Sequence, residues 1–152
     1  MGNLLVLSLQ GRPLLCPTNG LLMLREVCFL IGKNDVVQWS DASHSPTALP
    51  DSRVRWQAIW SRREHIVEVA HTHPLGGAKF SLEDETTMAA LDAALGRRLR
   101  YAVVTPTQLL RRIPGEPAEL SEQAGDHIVE TEPWWTTLIR SASGLTLSVK
   151  GD

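Results

Sequence analysis

His71, His73 and Asp84 are the residues of this chain whose types and spacing could do chemistry. They belong to the stretch His71-Thr72-His73-Pro74, six residues, then Ser81-Leu82-Glu83-Asp84. Side chains on a β-strand alternate, so residues two apart point to one face. A strand ending at this pair therefore turns both imidazoles the same way. Two imidazoles and one carboxylate make a three-ligand zinc site with a fourth position left for water, which is the catalytic arrangement rather than the structural one. Water on such an ion has a pKa near 7. Attack on a carbonyl still needs a base for the water proton and a donor for the oxyanion. Ser81 is close enough in sequence to both ligand groups to supply that donor hydroxyl. The base should be a carboxylate from elsewhere in the chain. Glu26 stands before an apolar run, an unusual place for a charge. An exposed helix-end residue is the competing reading for it.

Each part of this pattern also has a plain structural reading. Ser81 followed by Asp84 is a capping box, a common helix start. Two histidines on a strand can simply be solvated. Their conjunction within residues 71–84, on the right elements, is what carries the argument. The other histidines compete poorly. Six residues of strand would put His65 about 20 Å from His71, too far to share an ion. Glu68 is an odd number of residues from His71 and faces the other side of the strand. His44 and His127 fall in loops or loop edges and read as surface residues.

The elements that must position these groups follow from patterning. Leu4–Leu9 reads as a strand ended by Gly11 and Pro13. Thr18 or Asn19 can cap a short helix through Leu24. Val27–Ile31 reads as a strand, residues 32–35 as a turn, and Val36–Trp39 as the returning strand. Residues 40–52 read as a loop whose Asp51 or Ser52 caps a helix. Trp56, Ile59, Trp60 and Arg63 fall at helical spacing, which predicts both tryptophans in the core. Ile66–Ala70 is the strand that delivers the histidines. A helix from Ser81 buries Met88, Leu91 and Leu95 and closes at Gly96. Tyr101–Val104 and Leu109–Ile113 are strands, residues 114–126 a loop, Pro133-Trp134-Trp135 a helix start, and Leu145–Val149 a closing strand. The mixture lacks a regular βαβ rhythm and reads as α/β or α+β around one curved sheet.

Bulk properties narrow the function classes. The chain has 152 residues, enough for a single domain over 1–152. Its 15 basic and 17 acidic residues leave a net charge of −2, which argues against a nucleic-acid or anionic-membrane coat. The doublets Arg62-Arg63, Arg97-Arg98 and Arg111-Arg112 read as solvated surface, with a docking spot for an acidic partner as the competing reading. Two cysteines make neither a disulfide framework nor a thiolate zinc site. No signal-peptide pattern or membrane-length apolar run stands out, so the cytoplasm is the default.

The stretch 71–84 resembles the JAMM (MPN+) metalloprotease signature, His-x-His-Pro, a six-residue gap, then Ser-x-x-Asp. Glu26-Val27-Cys28-Phe29-Leu30-Ile31-Gly32 resembles that family's Glu-x-Cys-Gly-x-Leu-x-Gly segment, with Phe29 in place of glycine and Gly32 one residue early. The likeness follows element order over roughly residues 4–113 and is strongest at 26–32 and 66–88. It implies the MPN/JAB1, cytidine-deaminase-like fold, a mixed sheet flanked by helices. It implies that His71, His73 and Asp84 bind one Zn²⁺ with its water, that Glu26 is the general base, and that Ser81 stabilises the oxyanion. The implied activity is cleavage after the C-terminal tail of a ubiquitin-like protein, as deconjugation or precursor processing. In a compact bacterial or archaeal member the partners would be such proteins, with E1-like and E2-like enzymes, including those of antiphage defence.

Two alternatives stay open: hydrolysis of sulfur-carrier protein adducts, and a metal-free scaffold that only binds partners. An amidohydrolase barrel needs about 250 residues and does not fit. RadC-like proteins carry a related motif with different residues between the histidines and Ser-x-x-Asp. The acidic residues Glu116, Glu119, Glu122, Asp126, Glu130 and Glu132 make 114–132 the candidate for an extra recognition loop, with a plain surface loop as the competing reading.

Overall fold

A computed structural model describes residues 6–7, 13–14, 23–115 and 125–145. The described elements are β1 (Val6–Leu7), β2 (Pro13–Leu14), β3 (Val27–Gly32), a 3₁₀ turn (Lys33–Asp35), β4 (Val37–Ala42), α1 (Arg53–Ser61) and β5 (Ile66–Thr72). They continue with α2 (Leu82–Leu95), β6 (Arg100–Val104), β7 (Leu109–Ile113), β8 (Gly125–Ile128) and α3 (Trp135–Ala142). β1 and β2 pair with each other. The other six strands form one sheet in the order β4-β3-β5-β6-β7-β8. The β5–β6 pair is parallel and its neighbours are antiparallel. The expected mixed α/β sheet with flanking helices is therefore present.

Strand alternation divides the interior into two cores. Val27, Phe29 and Ile31 of β3 pack with Ala70, Ala102, Val104, Trp135 and Ile139 on the α3 face. Cys28 and Leu30 pack with Val69, Tyr101, Ile59, Met88 and Leu91 on the face covered by α1 and α2. Both indoles of the Trp134-Trp135 pair donate to Asp35, one to its carbonyl at 2.9 Å and one to its carboxylate at 3.1 Å. That contact pins α3 to the tip of the β3–β4 hairpin.

Ser52 caps α1 through a bond accepted from the Arg55 amide, as its place before the helix predicts. Gly96 ends α2 with a left-handed φ of 67°, a conformation that costs glycine little. Met88 and Leu91 are buried and Leu95 packs against them.

Several expectations are corrected. β4 runs on through Ala42, so the loop is shorter than 40–52. Trp56 packs against the α1–α2 core, but Trp60 is 54% exposed, with the Arg63 guanidinium stacked 4.4 Å from its ring centre. The predicted 114–126 loop gives way to β8 at Gly125, and His127 sits exposed on that strand rather than at a loop edge. Arg111 is not solvated surface. Its Nε and Nη2 donate to the fully buried Glu68 carboxylate at 2.8 and 3.1 Å, and Arg100 approaches the same group. Asp126 pairs with Arg112 and Glu132 with Arg140, so these two acids support the fold. Glu116, Glu119 and Glu122 lie outside the described residues, as do most of the helix expected before Leu24 and the strand expected after Leu145. Met23 and Leu24 themselves are irregular.

Candidate metal centre

β5 carries His71 as its penultimate residue, and His73 follows one residue after the strand. His73 keeps strand-like placement because its amide donates to the Val104 carbonyl of β6 at 2.9 Å. Pro74 then turns the chain into the loop that leads to α2. Ser81 is the N-cap of α2 and Asp84 its third residue, in a capping box with both reciprocal bonds made. The helix start thus lifts the Asp84 carboxylate toward the two imidazoles.

The three side chains converge. His71 Nε2 lies 3.1 Å from Asp84 Oδ1, His73 Nε2 lies 3.2 Å from Asp84 Oδ2, and the two Nε2 atoms are 2.9 Å apart. Among the described residues they form a group of donors that could hold a metal ion. The fit is good on two counts. Donor atoms on a four-coordinate ion with bonds of 2.0–2.1 Å stand about 3.3 Å apart, close to the spacings seen here. His73 Nδ1 also lies 3.3 Å from the Gly77 carbonyl, which can only accept, so that nitrogen carries the hydrogen and Nε2 faces the cluster.

Electrostatics follow from the same contacts. Burial works against the Asp84 anion, but hydrogen bonds from His71, His73 and the Ser81 amide outweigh it and hold this carboxyl far below the usual range. Burial likewise opposes charge on His73. Its bonds to Asp84 and Gly77, with Glu26 nearby, overcome that and raise its pKa. For Glu26, burial dominates and pushes the carboxyl upward, while His71 and His73 pull it down.

Glu26 lies just before β3 and is 8% exposed. It lines a cleft of about 680 Å³ together with His71, His73, Ser81 and Asp84. The exposed helix-end reading is therefore replaced by a buried carboxylate. The register of β3 slips after Leu30 against β4 and after Ile31 against β5. Both slips lie beyond Glu26 and Cys28, so the early Gly32 leaves the facing of Glu26 untouched.

His65 lies in the exposed turn before β5, and His44 is exposed in a loop. Glu68 faces the α3 side, as its odd spacing predicts. Patterning did not single out Arg55, which lines the cleft and donates from Nε to both Asp41 oxygens at 3.1 Å. The signal was weak, because Asp41 sits in the part of β4 that read as loop.

Residues 21–113, more than half of the chain, match the family described as prokaryotic homologs of the JAB domain. The chain belongs to that family. No curated protein matches it. Family membership and the His71/His73/Asp84 group fit a metal-dependent hydrolase, and membership alone also fits a scaffold. Among the described residues, no helix is long and apolar enough to cross a membrane.

Proposed function

We propose that this chain is a zinc-dependent peptidase of the JAMM type that cuts the peptide or isopeptide bond after the C-terminal tail of a ubiquitin-like protein. One observation carries the reading. His71, His73 and Asp84 converge in a cleft that also holds the buried carboxylate of Glu26.

His71 Nε2, His73 Nε2 and an Asp84 oxygen would hold the ion. A Zn²⁺ held there supplies Lewis acidity and makes a water nucleophilic near neutral pH. Glu26 takes the proton of the attacking water and passes it to the leaving amine. Its place suits this, since the carboxylate is buried in the same cleft as the three candidate ligands. Ser81 Oγ already accepts the Asp84 amide at 3.1 Å, which leaves its own hydrogen free for the oxygen of the scissile carbonyl. Arg55, held by Asp41, walls the cleft beside Glu26. A ubiquitin-like protein is the proposed partner, and E1-like or E2-like proteins of a bacterial conjugation or antiphage system are its proposed context.

The test is metal analysis of the purified chain, followed by incubation with a tail-extended ubiquitin-like protein and with a sulfur-carrier–cysteine adduct. Near-stoichiometric zinc and release of the tail extension are expected. Glu26→Gln should keep the zinc and lower kcat by about 10²–10⁴-fold. A chain without bound metal would favour the scaffold reading, and cleavage of the adduct alone would favour the carrier reading.

A further inference from the structure

We propose that a buried hydroxyl relay, Thr72 and Ser143, on the sheet face opposite the cleft, positions Glu26 against the two histidines. This rests on the peptidase reading above. The β3–β5 ladder stops at the Cys28–His71 pair. Glu26 and Val27 lie beyond it, so backbone pairing does not fix Glu26 relative to β5. On its other side Glu26 is tied to the β4 end, donating to the Ser45 carbonyl at 2.8 Å and accepting from the Ser43 amide at 2.9 Å.

The Thr72 side chain takes over where the ladder ends. The Val27 amide donates to Thr72 Oγ1 at 2.9 Å, and Thr72 Oγ1 lies 2.9 Å from Ser143 Oγ. Ser143 Oγ donates to the Arg25 carbonyl. A carbonyl can only accept, so that bond uses the single Ser143 hydroxyl hydrogen. Thr72 must therefore donate to Ser143. The chain runs Val27 N–H, Thr72 O–H, Ser143 O–H, Arg25 C=O, and it closes around Glu26 from the residue after it to the residue before it.

Two further bonds brace the ring. The Arg25 amide donates to the Ser143 carbonyl at 3.1 Å, and Arg25 Nε donates to the Ala142 carbonyl at 2.9 Å. Thr72 and Ser143 are both fully buried. Thr72 stands between His71 and His73, so one residue links the ligand pair on one face to the Glu26 segment through the other. Neither hydroxyl reaches the cleft. Both are positioning residues, and their effect on the reaction passes through Glu26.

The test compares Thr72→Val, which keeps shape and loses the hydroxyl, with Thr72→Ser, which keeps the hydroxyl, and with Ser143→Ala. Three quantities are read on the full chain: zinc affinity by chelator competition, kcat and KM on a tail-extended ubiquitin-like protein, and hydrogen exchange of the Val27 amide without metal. Thr72→Val should lower kcat by about 10²-fold, as misplacement of a reacting group does, with KM and zinc affinity unchanged. Ser143→Ala should move kcat the same way, and Thr72→Ser should recover most of it. Val27 exchange should quicken about tenfold in Thr72→Val, as loss of a buried hydrogen bond requires.

Unchanged kcat in Thr72→Val overturns the proposal, as does zinc affinity that falls in step with kcat. If Thr72→Val does not fold, Ser143→Ala and Thr72→Ser decide. If the unaltered protein cuts no substrate, the peptidase reading fails by itself. Val27 exchange still tests the relay, and exchange unchanged in both hydroxyl-deleted variants would sink it.

Discussion

Ser81 and Asp84 hold each other. The Ser81 amide donates to Asp84 Oδ2 at 2.7 Å, and the Asp84 amide donates to Ser81 Oγ at 3.1 Å. The same carboxylate meets both histidines. One serine thus starts a helix, orients the carboxylate of the candidate metal group, and keeps a hydrogen for the cleft. Ser81→Ala should cost about 1 kcal/mol of stability as a lost N-cap. It should also lower kcat by about 10²–10³-fold as a lost oxyanion donor. Ser81→Thr should restore both. Denaturant unfolding and steady-state kinetics separate the two effects. Lost stability with full activity would reduce Ser81 to a cap.

The cluster is held together by the chain itself, with the two Asp84 oxygens 3.1 and 3.2 Å from the imidazole Nε2 atoms and Asp84 fixed in the capping box. Stripping metal should therefore leave the chain folded, unlike a small domain organised by its ion. Returning zinc at about 100 times its Kd should stabilise the protein by about 2.7 kcal/mol. His71→Ala or Asp84→Ala should abolish that gain. Calorimetry with and without zinc reads it, and an unfolded metal-free chain would contradict it.

Cys28 faces the α1–α2 core at 2% exposure, and burial, with Asp41 nearby, pushes its thiol up to about 12. The thiolate is the reactive form, so this sulfur should be inert in the folded protein. In a Cys16→Ser background, which reports one thiol, disulfide-reagent labelling at pH 8 should wait on unfolding and go to completion in denaturant. Rapid labelling of the folded chain would contradict the burial.

Arg112 gathers β7, β8 and α2, bonding Asp126 and Glu85 and lying 4.5 Å from the Phe80 ring centre. Its hydrogen bonds hold the Glu85 and Asp126 carboxyls below their ordinary values. A depressed carboxyl stabilises above its unfolded pKa, and that contribution fades as pH falls through the folded value. Arg112→Gln should therefore destabilise the protein near neutral pH by about 1 kcal/mol or less, since these groups are solvent-screened. The deficit should shrink below about pH 4 and leave a pH-independent remainder from the Phe80 contact. Urea unfolding at several pH values measures it. A deficit that grows in acid would reverse the sign.

Period-two spacing made the histidine pair legible, and a capping signature made the start of α2 legible. Both signals are local. What escaped was long-range or lacked an apolar pattern. β8 reads Gly-Asp-His-Ile with all four residues exposed, because it is an edge held by ladder bonds and by Arg112. Trp60 shares helical spacing with Trp56, yet the turn of α1 carries it past the core to where Arg63 covers it. Glu68 could be assigned to the far face, but its arginine partners could not. The Thr72–Ser143 bond joins residues 71 apart in sequence, and no local pattern announces it.

The position of β5 has a consequence for how the molecule comes apart. It lies third in the sheet, between β3 and β6, and most of its residues are buried. β8 at one edge is exposed throughout, and β4 at the other is mostly half-buried. Local opening begins where few buried contacts oppose it. The edges therefore fray first, and the strand holding the imidazoles is among the last to loosen. The protein can breathe at its margins many times over while the strand that carries His71 stays in place.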